Sequence, residues 1–297
     1  MFSFPAQLES DQQPRNWYQD LLDHPDCQGD PVKVQQAYES YRHGSLTRSL
    51  TSLTQADGKP KITPSPALVQ YLSYVVNDTT PKEVENHYRD ENLNYMWFPE
   101  PSRLHLSVIE ISHRHPMAHL RSVFDQIGKS LFQKLLDHPA TLAATESRTS
   151  RLGRPMLLFD GVGVAISFVP VGTDQYTYHH LRADLHNMAV SSGIKTDTCY
   201  TACMSHITLG RFVSSKNFDL ETAEMAQQRL RDWINTIQSI NKELNEYYQA
   251  NDWEWTVGEE KGLELQMGML KFGRDTDAAE MAGRCFGDEA MPSMTAN

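Results

Sequence analysis

Two stretches, Arg103–Ile111 (RLHLSVIEI) and Met204–Phe212 (MSHITLGRF), each set a histidine two residues ahead of a hydroxyl: His105 with Ser107, and His206 with Thr208. Both runs alternate like a strand, in which side chains at i and i+2 project from one face. Each therefore offers an imidazole beside a hydroxyl on one face and aliphatic groups on the other: Leu104, Leu106 and Val108 in the first run, Ile207 and Leu209 in the second. By itself a His-x-Ser/Thr triplet says little. With 12 histidines in the chain, on the order of one or two such triplets arise by chance. His43-Gly44-Ser45 is one of these, set among Arg42 and Arg48 without an alternating apolar flank. The other two are set apart by their flanks and by the similar strand-then-helix order that follows each.

Reading outward from Arg103, the elements follow the order β, α, β, β, α, β, α, β, β. Met117–Asp137 has the spacing of one amphipathic helix, with Leu120, Val123, Phe124, Ile127, Leu131 and Leu135 on its stripe. Ala140–Arg154 reads as a polar loop, and Met156–Phe168 as two strands meeting at Asp160-Gly161. Gln175–Ser191 and Asp219–Tyr248 are helical, and Trp253–Val257 and Gly262–Lys271 are closing strands. Strands interleaved with helices of this length imply an α+β or α/β body. Before it, residues 1–92 read as a mostly helical extension or cover, and residues 275–297 as a loose tail.

The composition, 39% hydrophobic and 22% charged over 297 residues, is that of a globular chain with ample material for a core. No apolar run approaches the ~20 residues of a membrane span. The opening MFSFPAQLESDQQPRN lacks the basic and long apolar regions of a signal peptide, so a cytoplasmic protein is expected. Cys27, Cys199, Cys203 and Cys285 form no CxxC pair and read as reduced thiols. A net charge of −11 argues against extended nucleic acid, which is bound through counterion release to Lys and Arg. A local basic pocket for a small nucleotide is compatible with it.

A pair of h-His-x-Ser/Thr-h strands, the second reading HITLGR, resembles the 2H phosphoesterases, the group that includes RNA 2′,3′-cyclic phosphodiesterase and ligase-like proteins. The resemblance covers roughly Tyr95 to Arg274, within a 2H-like domain at 93–274. It implies a two-lobed fold with pseudo-twofold antiparallel sheets, a central cleft and outer helices, each lobe supplying one His strand. It also implies His105, Ser107, His206 and Thr208 as the catalytic set.

The residues themselves support that chemistry. Histidine titrates near neutrality, so one ring can take a proton while the other gives one. Opposed across a phosphodiester, two such rings serve the two ends of an in-line displacement, and the hydroxyls can hold the non-bridging oxygens. No cofactor or metal is called for. The expected partner is a small phosphate ester or nucleotide, such as a 2′,3′-cyclic nucleotide or a short RNA end. The alternatives are acid/base catalysis on a non-phosphate small molecule with the same scaffold, or a non-catalytic nucleotide-binding module.

Trp97, Phe98, Phe168 and Tyr178 read either as core or as platforms for a flat ligand, since every base has a π-face. Lys271 continues the parity of Leu263–Met269 toward a cleft mouth. Arg211 falls by parity on the aliphatic face of its strand, which suggests a surface or capping role. Arg148, Arg151 and Arg154 read as a solvated loop, or as a lid over a phosphate. His113, His115 and His119 could ligate zinc but read first as exposed helix-entry residues, as do His179, His180 and His186.

Overall fold

The computed structural model describes residues 16–54, 60–66, 68–69, 95–113, 115–196, 203–268 and 279–288. Expectations that fall elsewhere, including those for much of the 1–92 extension, Cys199 and Lys271, lie outside the described residues. What is described is an α+β body with seven α-helices and a curled, antiparallel five-stranded sheet.

Two helices open it: α1 (Trp17–Asp23), whose first amides donate to the side chain of Asn16, and α2 (Pro31–Thr54). After the short strand β1 (Met96–Trp97) and a 3-10 turn at Pro101–Arg103 come α3 (Met117–Ile127), α4 (Lys129–Leu136) and α5 (His138–Glu146). The long hairpin β2 (Arg151–Phe159) and β3 (Gly163–Pro170) leads into α6 (Tyr178–Val190), β4 (His206–Phe212) and α7 (Ala223–Asn251). The two-residue strands β5 (Trp255–Thr256), β6 (Glu264–Leu265) and β7 (Met281–Ala282) follow.

The large sheet runs β1-β4-β3-β2-β5, and β6 pairs with β7 separately. The hairpin turns where Asp160 and Gly161 predict it, with Asp160 Oδ1 accepting from the amides of Val162 at 2.7 Å and Gly163 at 3.0 Å. This side-chain acceptor replaces a backbone partner in the turn. Beyond the reach of β5, the amide of Asn241 on α7 bonds both the N–H and the C=O of Leu157, closing that edge of β2.

Several expectations are corrected. Gly128, at φ 78°, splits the expected helix Met117–Asp137 into α3 and α4, because only glycine takes that backbone geometry without strain. Part of the expected loop Ala140–Arg154 is α5, followed by the start of β2. The tail is not wholly loose: Met281–Ala282 pairs with β6, and Arg284 Nε lies 3.4 Å from Asp137.

The first helices pack into this body. Tyr18, Leu21, Val34 and Tyr38 are buried in the same core as Phe168, Tyr178 and Leu181. A second core joins Leu53 of α2 to Leu157, Phe159 and Phe212 of the sheet and to Leu230, Ile234 and Ile237 of α7. No helix among the described residues is long and apolar enough to cross a membrane.

Candidate functional site

β4 pairs with β3 in the register Ser167↔His206, Ile166↔Ile207 and Ala165↔Thr208. Directly opposed residues project to one side. His206 and Thr208 thus share a face with Ser167 and Ala165, while Ile166 and Ile207 pack against the main core.

The first motif run is not a full strand. Its sole described pairing is an antiparallel bridge, Leu106↔Ile207. That bridge lays the two motifs side by side. Leu106 and Ile207 both pack against the core, so their neighbours emerge together on the other face, His105 across from Thr208 and Ser107 across from His206. In such a pair, opposed side chains start about 5 Å apart and the diagonal, here His105 to His206, spans roughly 7–8 Å. All four side chains are half-buried.

The bulge in β4 changes the expected parity. Ala165 opposes Thr208, but Val164 opposes Gly210, so Leu209 is an extra residue. An inserted residue turns the rest of the strand over. Arg211, opposite Gly163 and Trp97, returns to the face of His206 and Thr208. This corrects its assignment to the aliphatic face and brings a guanidinium to the paired motifs. Gly210 was the signal available in the sequence, since a glycine inside a strand often marks a bulge or a close approach. Gly163 is needed here: a Cβ on it would lie 2.2 Å from the Gly210 carbonyl oxygen.

The two imidazoles are not equivalent. Burial pushes His206 down to about 4, and the positive charges of Arg211, Arg182 and His105 push in the same direction. Near neutral pH its ring is uncharged and can accept a proton. His105 Nδ1 lies 3.1 Å from the carbonyl oxygen of Arg103. A carbonyl only accepts, so this bond puts the hydrogen on Nδ1 and leaves Nε2 for proton exchange.

The remaining candidates fall in different places. Trp97 shares the face of Arg211 through their cross-strand pairing but is buried against Leu68. Phe98 is 59% exposed, and its ring lies against the Cα of Gly210. Gly210 belongs to the opposite parity, so Phe98 flanks the motif strand from the other side. Phe168 and Tyr178 are core residues: Phe168 packs against Trp255, and Tyr178 is fully buried with its hydroxyl 3.5 Å from the Ser107 carbonyl.

Arg148 is exposed in the loop between α5 and β2, whereas Arg151 and Arg154 lie on β2 rather than in that loop. Arg148 pairs with Glu146, Arg151 with Asp174 and Glu254, and Arg154 with Glu39. His179 and His186, expected at the surface, are buried and held neutral by desolvation, at about 3 and about 4. The rings of His115 and His119 lie 4.1 Å apart, but His113 bonds Glu110 instead. Among the described residues no group of three or more His, Cys, Asp or Glu could hold a metal ion.

Compared with known proteins, the chain matches no family model, no curated protein and no solved structure.

Proposed function

We propose that this protein is a metal-independent phosphoesterase of the 2H type acting on a small cyclic phosphate, with a 2′,3′-cyclic nucleotide or a short RNA end as substrate. The observation that carries the reading is the Leu106↔Ile207 bridge, which turns two distant triplets into one face of alternating imidazoles and hydroxyls. In this reading each run belongs to one lobe of a two-lobed, pseudo-twofold fold.

His206, neutral near pH 7, takes the proton of an attacking water as the new P–O bond forms. His105, entering as the imidazolium, gives its Nε2 proton to the 2′ or 3′ oxygen as the old P–O bond breaks. Ser107, Thr208 and Arg211 hold the non-bridging oxygens, where charge is concentrated. The rings exchange protonation states during turnover and are reset by solvent.

Arg211 also bears on the choice between phosphate and non-phosphate substrates. A guanidinium beside the histidines gives an anion a counter-charge, which a neutral guest would not need.

Hydrolysis of 2′,3′-cyclic nucleotides in EDTA tests the reading. His105→Ala and His206→Ala should each lower kcat by about 10²–10⁴-fold, the usual contribution of a positioned acid or base. Full activity in either variant would remove that histidine from the mechanism.

A further inference from the structure

Arg182 on α6 has no exposed surface, yet its guanidinium bonds to both motif runs. Nε donates to the carbonyl of Val108 at 2.8 Å, one residue beyond Ser107. Nη1 donates to the carbonyl of Met204 at 2.9 Å, two residues before His206. The same head donates to the hydroxyls of Tyr38 at 3.0 Å and Tyr18 at 2.9 Å and lies 4.2 Å above the Tyr18 ring.

The tyrosines are fixed in turn. His179 Nε2 donates to the Tyr18 carbonyl at 2.8 Å, which leaves Nδ1 to accept from the Tyr38 hydroxyl at 3.0 Å. Only the neutral ring can do both. One buried network thus joins α1, α2, α6 and the backbones of both runs.

Burying a guanidinium is costly even after relaxation. Four donated hydrogen bonds and a ring face offset that cost, and removing any one leaves a buried charge short of a partner. The network reaches the backbone of the first run two residues from the bridge at Leu106, its sole described strand pairing.

We propose that Arg182 is the positioning residue of the paired histidines: its planar fork sets the separation of the two runs, and the tyrosines of α1 and α2 set the fork. The N-terminal helices are then part of the catalytic frame. This proposal rests on the phosphoesterase reading for its kinetic test, and has a second test independent of it.

The full chain would be assayed as Arg182→Lys, Tyr38→Phe and Tyr18→Phe for hydrolysis of 2′,3′-cyclic AMP in EDTA, with thermal unfolding followed alongside. An ammonium keeps the charge but has no rigid fork to reach two carbonyls and two hydroxyls. Arg182→Lys should lower kcat about 100-fold, the effect of misplacing a reacting group by about 1 Å, while KM stays within about threefold. Tyr38→Phe and Tyr18→Phe should each lower kcat about tenfold. A folded Arg182→Lys protein with wild-type kcat overturns the proposal. Should that variant fail to fold, Tyr38→Phe decides: a fall in kcat at unchanged KM supports positioning, and an unchanged kcat overturns it.

NMR titration of the histidines gives the independent readout. The charged groups that act on His206 are Arg211 on its own strand, Arg182 from α6 and His105 from the first run. In the wild type, protonation of His105 should shift the His206 signal. In the Arg182 and tyrosine variants that coupling should weaken as the runs move apart. If the wild type hydrolyses no cyclic phosphate, the functional reading fails, and the titration alone judges positioning: weakened coupling supports it, and unchanged coupling overturns it.

Discussion

The two motif runs are nearly interchangeable on paper and differ in how the fold holds them. The second is a strand in the middle of the sheet, paired with β3 through five residues and with β1 at its far end. The first has one described bridge, and beyond it the side chains of Arg182 and Tyr178 reach its backbone. A ladder fixes a strand through repeated, mutually reinforcing bonds. A side-chain clasp fixes it at one or two points and depends on whatever orients the clasp. The same triplet is therefore built once as scaffold and once as an attachment, and an attachment can be displaced without unfolding the sheet.

The largest expected effect falls on the laddered run. A methyl on Gly163 would meet the Gly210 carbonyl at 2.2 Å, and neither backbone can move without breaking the β3–β4 ladder. Gly163→Ala should cost about 3 kcal/mol or more, the upper end for overpacking, and should displace Arg211 from the motif face. Denaturant unfolding would measure the loss. A cost below ~1 kcal/mol would mean that the bulge is not held as described.

Acid should weaken the frame next. His179 has a folded pKa of about 3, and His186 and His206 of about 4. A depressed pKa means the unfolded chain binds protons more readily, so the stability is complete above about pH 6.5 and is lost as pH falls toward 4. The fully buried pair His179 and His186 should together account for a few kcal/mol of that loss. Urea midpoints from pH 7 to 4 would show it, and a flat profile would contradict the neutral, buried assignments.

The bridge itself provides a finer comparison. Leu106→Ala and Ile207→Ala remove similar, partly buried aliphatic groups and should each cost about 2 kcal/mol. Their effects on activity should differ. Leu106→Ala loosens the singly bridged run and should lower kcat about tenfold more than Ile207→Ala, whose strand keeps its ladder. Equal losses in kcat would show that both runs are held equally firmly. Native-state hydrogen exchange should agree, with the amide of Ile207 outlasting those of Leu106 and Val108.

The smallest effect is expected at Gly210. There a Cβ would meet the Phe98 ring at 2.9 Å and the Met96 methyl at 3.1 Å, both ends of side chains rather than backbone. Because Phe98 is largely exposed and can swing aside, Gly210→Ala should cost less than about 1 kcal/mol.

Much of this molecule is local in origin, and that part was open to reading. The pairing of His with a hydroxyl at i+2 follows from strand geometry alone. The turn at Asp160-Gly161 follows from an aspartate that serves its own backbone, and the helices around α6 and α7 follow from apolar spacing. What could not be read depends on contacts between distant residues. The extra residue at Leu209 is defined only against the partner strand, so the parity that placed Arg211 on the oily face failed one residue after the motif. Gly128 could have sat inside a helix at modest cost, and only packing required the left-handed turn that divides it. Arg182, His179 and His186 look like a polar helix face in one dimension. They became an interior because α1 and α2 folded over them, closing a network in which every donor needs an acceptor from another element.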